Sequence, residues 1–333
     1  VFFAVWWAWM NFTWFATTFA VDDWLYRVLT VLQMAGVLVL AAGVEPVFDR
    51  GDLRLLVLGY VVMRVAMVAQ WLRAARTAGR LRRTALTYAV GIAAVQVLWV
   101  GALVLHGTAL WVAAGVLVVA ELAVPVVAER RGNTTWHLHH ITERYGLFTL
   151  ILLGESLLGS ANAIIEALHD EHALGALVSV SVLVLVSTAA LWWVYFWPPH
   201  HRVITDLRSS LRYGYAHYAV FAAAGALSAG VETEISSMTG ESGLRDLGTS
   251  LTVTVPVAVF LLGVWWVALR ASADRTVRLA VPVAALLVLL DPLVPVPVTL
   301  TTVVLVLLVV VLVVHPPLSA PGAAARGAGS AEG

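Results

Sequence analysis

Few side chains in this sequence could do chemistry, and they stand out against an apolar background. The first is Glu155, which follows the apolar run Gly146–Gly154. An acidic residue at the centre of a membrane helix costs roughly 3 kcal/mol on insertion scales, so something must compensate for it. Glu155 shares a helical face with Gly159, Asn162 and Glu166, spaced i, i+4, i+7 and i+11, and Ser156 is its neighbour. That face reads as a polar path or an ion-coupling site inside a bundle. The bland reading is a buried carboxylate, protonated or paired with Arg64, that fixes packing. Gly154 and Gly159 would admit a closely packed helix, which packing alone explains.

A second pattern is His137, His140 and Glu143, recurring every three residues and so facing one way on a helical turn. The spacing suits a metal or a proton relay. Three ligands with no visible fourth, on a connector at headgroup level, favour an ordinary polar surface, and His139 is expected to point elsewhere. His217, beside Tyr213, Tyr215 and Tyr218, reads equally as a satisfied interfacial histidine or a proton-handling one. Trp7, Asn11, Trp14 and Thr18 make one face near the start of the chain. Such tryptophans more often pack than bind, and Asn11 needs a hydrogen-bond partner, expected across a helix interface.

The motifs that are missing narrow the field. There is no G-x-x-x-x-G-K-[ST] phosphate loop and no H-E-x-x-H, and Gly154-Glu155-Ser156 lacks the spacing of a nucleophile elbow. Cysteine is absent, which excludes disulfides and thiolate chemistry. No catalytic residue and no cofactor is identified, and no basic cluster with interleaved aromatics points to nucleic acid.

The elements that must position these residues are membrane helices. Hydrophobic residues make up 61% and charged ones 12%, against about 45–50% and 25% in soluble domains. The expected fold is all-α, a polytopic integral membrane bundle with the lipid bilayer as its surroundings. Apolar segments fall at 1–19, 26–44, 53–72, 85–105, 109–128, 145–165, 173–197, 213–230, 249–269, 277–290 and 298–314. Most have the roughly 20 residues that a crossing needs. The segment at 277–290 is the weak one, short and followed by Asp291, Pro292, Pro295 and Pro297.

All 20 basic residues are arginines, and their placement tests this count. Arg27, Arg73, Arg76, Arg80, Arg82, Arg83, Arg130, Arg131, Arg144, Arg202, Arg208, Arg212, Arg270, Arg275, Arg278 and Arg326 fall on one side. Only Arg50, Arg54 and Arg245 fall on the other, among Glu45, Asp49, Asp52, Asp170, Glu171, Glu232, Glu234 and Glu241, with Arg64 inside a span. The positive-inside rule makes the arginine side cytoplasmic, with the carboxy terminus on it and the protein in the cytoplasmic membrane. Eleven helices then start outside and finish inside, so a twelfth, preceding Val1, is expected to be missing.

An internal repeat supports that missing helix. Trp6-Trp7 and Trp192-Trp193 lie 186 residues apart, Gly43-Val44-Glu45 and Gly230-Val231-Glu232 lie 187 apart, and Trp71 and Arg83 match Trp266 and Arg278 at 195. The offset covers six spans, which makes the two halves parallel repeats. The chain is therefore divided into a first membrane repeat at 1–128 lacking its opening helix, a cytoplasmic connector at 129–144, a second repeat at 145–314, and a Pro/Ala/Gly/Ser tail at 315–333 expected to be disordered.

Several of these stretches resemble the bacterial low temperature requirement protein A (LtrA) family. They are W-W-A-W-M-N-F-T-W-F at 6–15, which opens on Trp6 and Trp7, the D-D-x-x-x-R of Asp22, Asp23 and Arg27, Q-M-A-G-V at 33–37, and L-W-W-x-Y-F at 191–196. The most specific is H-x-x-H-x-x-E-R-x-G-L-F-x-x-I-x-L-G-E-S, which contains Arg144, Gly146 and Gly154; the Y-x-H ending in His217 adds to it. The resemblance implies an opening helix with an E-x-F-F-D-like motif. It also implies an acidic residue after L-W-W-x-Y-F, where this chain has Trp197. The family name ties it to growth in the cold and carries no substrate.

The leading functional expectation is a secondary transporter or ion-conducting protein for a small solute or ion. Glu155, Ser156, Asn162, His217, Asn11 and Arg64 would form its pathway. One alternative is an intramembrane enzyme acting on a lipid or isoprenoid through His137, His140 and Glu143. The other is a non-catalytic envelope protein. Oligomeric state is not legible.

Overall fold

The computed structural model describes residues 1–19, 21–132, 134, 137–167, 174–238, 246–293 and 298–318. Trp136, Asp170, Glu171, Glu241, Arg245, Pro295, Pro297, Arg326 and the tail beyond 318 lie outside them, as does the side chain of Glu166. Every regular element among the described residues is helical. The chain divides into two compact units, residues 1–141 and 142–333, so the division falls within the 129–144 stretch.

The first unit holds α1 (Phe2–Phe19), α2 (Trp24–Ala42), α3 (Val44–Arg50), α4 (Arg54–Thr77), α5 (Arg82–Ala102) and α6 (Gly107–Glu129). Next comes α7 (Leu138–Ala167), whose first turn carries the division. The second unit continues with α8 (Leu174–Phe196), α9 (Leu207–Met238) and α10 (Asp246–Val264). A π turn at Trp265–Leu269 leads from α10 into α11 (Arg270–Ser272), followed by α12 (Arg275–Val288) and α13 (Thr299–Val314). Each expected apolar segment lies on one or two of these helices. By length and apolarity six stretches among the described residues can cross a bilayer: Trp24–Arg50, Arg54–Thr77, Gly79–Ala102, Gly107–Glu129, Leu177–Phe196 and Leu247–Ser272.

The weak segment is short for a physical reason. α12 has 14 residues, about 21 Å at 1.5 Å per residue, against a hydrocarbon core of about 30 Å. Asp291 follows α12 in a short 3-10 turn. Its buried carboxylate accepts from the backbone N–H of Leu300 (2.9 Å) and from the Thr301 hydroxyl (2.9 Å), capping α13 from the end of the previous helix.

Consecutive helices pack in the same order in each unit: α2 on α4, α4 on α5 and α5 on α6 in the first; α9 on α10, α10 on α12 and α12 on α13 in the second. The tightest crossings are made by glycine. A Cβ at Gly59 would collide with the Leu40 backbone, one at Gly43 would sit 2.5 Å from the Leu56 nitrogen, and one at Gly230 would strike the Thr252 carbonyl. Gly43 and Gly230, matched across the sequence repeat, thus do the same job. The matched tryptophans do not. Trp7 and Trp71 are buried, whereas Trp193 and Trp266 are more than 40% exposed.

Candidate functional site

The D-D-x-x-x-R motif sets the register of the first unit. Asp22 pairs with Arg27 through two hydrogen bonds of 2.9 and 3.0 Å, while Asp23 caps α2 by accepting from the Tyr26 N–H at 2.8 Å. Asp23 also receives Arg73 from α4. The Tyr26 amide first, and then Arg73, hold the Asp23 carboxyl below its usual range. With α2 and α4 clamped at this end, the next turns of α4 carry Tyr60 and Arg64 into the interior.

Arg64 is almost fully buried and pairs with Glu121 of α6, at 3.3 Å between Nη2 and Oε2, each side chain only 2% exposed. The same Arg64 nitrogen donates to the Tyr60 hydroxyl. Glu121 gathers two further donors: the Trp7 indole N–H on Oε2 at 2.9 Å and the Gln96 amide on Oε1 at 2.8 Å. Four helices, α1, α4, α5 and α6, therefore converge on one carboxylate. Pro125 stands one turn further along α6 and cannot donate to the carbonyl of residue 121, so the helix ladder is interrupted at the residue that carries the charge.

Above this pair lies a cavity of about 200 Å³. Its walls come from Phe3, Val57, Trp99, Trp111 and Val118, and its polar surface from Tyr60 and Glu121. Hydrogen-bonding capacity in the cluster and at the cavity wall is unspent. Arg64 Nε, Gln96 Oε1 and Trp99 Nε1 are buried and have no partner among the described residues. Leaving a buried polar atom unpaired costs about 1–3 kcal/mol. Trp99 lines the cavity itself, while Arg64 and Gln96 reach it through Glu121, so an apolar-walled cavity with one carboxylate, one tyrosine and one spare indole donor has the features of a site for a small molecule.

The residues singled out from sequence fall in both units, Asn11 and Arg64 in the first and Glu155, Ser156, Asn162 and His217 in the second. Arg64 belongs to this cluster, but its partner is Glu121. Asn11 is buried beside it and bonds the Trp7 carbonyl of its own helix (2.7 Å), not a neighbouring helix. Glu155 and Asn162 are exposed on α7. A Cβ at Gly154 or Gly159 would meet nothing within 4 Å, so neither glycine marks a close helix approach; Gly146 does, against the Phe196 ring. Ser156 is buried, bonding the Leu153 carbonyl (2.7 Å) and lying 3.2 Å from the Thr188 hydroxyl of α8. His137 and His140 set their rings edge to face at 5.8 Å, and Glu143 and Arg144 are exposed. No group of three or more His, Asp or Glu side chains among the described residues could hold a metal.

His217 is fully buried in a closed ring of hydrogen bonds. Its Nδ1–H donates to the Tyr213 carbonyl (2.7 Å) and its Nε2 faces the Tyr195 hydroxyl (3.2 Å). His200 mirrors it, with Nε2–H to the Tyr195 carbonyl (2.7 Å) and Nδ1 facing the Tyr213 hydroxyl (3.2 Å). Each carbonyl can only accept, so each imidazole keeps one N–H for it and offers the other nitrogen to a tyrosine. Burial, reinforced by the neighbouring His201, pushes His200 down to about 4, and the Tyr195 carbonyl opposes this only in part. Trp197 stands where an acidic residue was implied, and its indole donates to the Leu312 carbonyl of α13 at 2.8 Å.

Sequence reading missed Glu121, Tyr60, Gln96 and His200. For Glu121 the signal was present: a lone carboxylate inside the 109–128 apolar segment, subject to the same cost argument as Glu155.

Residues 1–314 match the family model described as Bacterial low temperature requirement A protein (LtrA). No curated protein and no solved structure matches the chain.

Proposed function

The chain belongs to the LtrA family, and from that footing we propose that it moves a small solute or ion across the membrane through the site built on Arg64 and Glu121. The observation that carries this reading is the buried Arg64–Glu121 pair, whose carboxylate lines an apolar-walled cavity together with the unpaired Trp99 indole N–H. A pair held only for packing gains little over apolar residues of the same volume. A pair that an incoming polar group or a proton can rearrange has a use for its spare donors and acceptor. Protonation of Glu121 would weaken its hold on Arg64, and a solute acceptor at Arg64 Nε would do the same from the other side.

The common order of helix packing in the two units, with Gly43 and Gly230 at equivalent crossings, supports parallel repeats. The arginine asymmetry supports a cytoplasmic position for the connector after α4 and for the end of α13. The cavity then opens toward the outer side, since Val1, Val47, Leu53 and Trp111 all lie at that end of their helices.

The test is reconstitution in liposomes with imposed proton, sodium and potassium gradients, recording charge movement for the parent, Glu121→Gln and Glu155→Gln. Loss in Glu121→Gln with Glu155→Gln unimpaired is the expected result. The reverse pattern would return the coupling role to the exposed face of α7.

A further inference from the structure

A second site emerges at the opposite, arginine-bearing end of the first unit, where α5 begins and α6 ends. The Thr84 hydroxyl of α5 donates to the Gly132 carbonyl at 2.9 Å, which fixes the turn after α6 against the first turn of α5. Arg83 and Arg131 are thereby brought to the rim of one groove of about 370 Å³. Its floor is Leu86, Thr87, Val90 and Gly91, which with Arg83 step along one face of α5. From residue 83 to 91 the groove runs roughly 12 Å along the helix. It is charged at one end and apolar along its length.

Neither Arg83 nor Arg131 has an ion-pair partner among the described residues, and Arg80, Arg82 and Arg130 are exposed close by in sequence. The acid at hand, Glu129, is buried and engaged: it accepts from the Tyr88 hydroxyl (2.8 Å), the Thr134 N–H (2.8 Å) and the Thr134 hydroxyl (2.9 Å). A planar guanidinium suits phosphate oxygens through paired N–H donors, and two of them at the mouth of an apolar furrow match the two parts of one molecule.

We propose that this groove binds an anionic phospholipid, its phosphate between Arg83 and Arg131 and the start of an acyl chain along Leu86, Val90 and Gly91. Charge complementarity selects the headgroup, and the apolar floor selects a lipid over a free anion. The site does not depend on the Arg64–Glu121 cavity, and its failure would leave the transport reading untouched.

Native mass spectrometry on the delipidated full chain tests this, with dioleoyl phosphatidylglycerol, dioleoyl phosphatidylcholine and inorganic phosphate as probes. The parent should retain the anionic lipid about tenfold better than the neutral one, and the Arg83→Gln/Arg131→Gln double variant should lose that preference. Arg76→Gln, which removes an exposed charge outside the groove, should leave it within about twofold of the parent. Val90→Trp keeps both arginines but fills the furrow, and should weaken lipid retention while millimolar phosphate fails to compete. Equal retention of the two lipids would overturn the proposal. So would an equal loss in Arg76→Gln, which means diffuse charge only, or full competition by phosphate with Val90→Trp unimpaired, which means a small-anion site.

Discussion

Glu121 shows how one side chain decides between a structural and a functional reading. Replacing it by glutamine leaves Arg64 buried and unpaired, and breaking a buried pair in this way costs about 3–5 kcal/mol. The Arg64→Met/Glu121→Gln double variant should recover most of that loss. The side-chain carbonyl of the introduced glutamine can accept from Trp7, and its amide can donate to the vacant Gln96 Oε1. Thermal melts of the two variants in the same detergent check the recovery. A second expectation at this scale concerns pH. His200 in an unfolded chain takes a proton near 6.5, but in the folded protein only near 4. The unfolded state therefore gains protons first as pH falls. Stability from this group is complete above about 6.5 and declines as pH drops through 4, by on the order of 3 kcal/mol in total. His200→Gln should flatten that part of a stability–pH curve, and an unchanged slope would refute the lowered His200 pKa. The two groups were not equally legible beforehand. Glu121 obeys a rule that the sequence already supports, whereas the Tyr195–His200–Tyr213–His217 ring joins two helices and a connector, and no spacing within one element reveals it.

Glycine separates packing from empty space at the scale of helices. Gly59 lies against α2, so Gly59→Ala forces the α2–α4 crossing apart and should cost about 1–3 kcal/mol, as overpacking does. Gly154 faces open space, so Gly154→Ala should be neutral or stabilise by about 0.5–1 kcal/mol through helix propensity. Comparative melting of the two variants tells whether the crossings lie where described. The helices themselves were legible because uncharged runs of spanning length admit no other element. Which glycines mark crossings was not, because Gly36 and Gly154 both follow apolar helical runs and only the spatial neighbour tells them apart: Gly36 meets the Gly59 carbonyl and Gly154 meets nothing. The pairing of Arg64 with Glu121 rather than Glu155 has the same origin: it depends on which helix lies beside α4, and local sequence does not encode that.

For the whole molecule, the orientation expected from arginine placement can be tested directly, since the chain contains no cysteine. A membrane-impermeant maleimide should label Phe48→Cys from outside intact cells and Arg76→Cys only after permeabilisation; both positions are exposed. Labelling in the opposite order would invert the topology and turn the Arg64–Glu121 cavity toward the cytoplasm. The central claim is that the Arg64–Glu121 pair handles the transported species instead of merely holding four helices together. The most direct measurement is gradient-driven charge movement in liposomes by the Arg64→Met/Glu121→Gln double variant, once its melting point matches the parent. The account predicts a folded protein that carries no current. Current at the parent's level in that variant would contradict it and leave the pair a structural device.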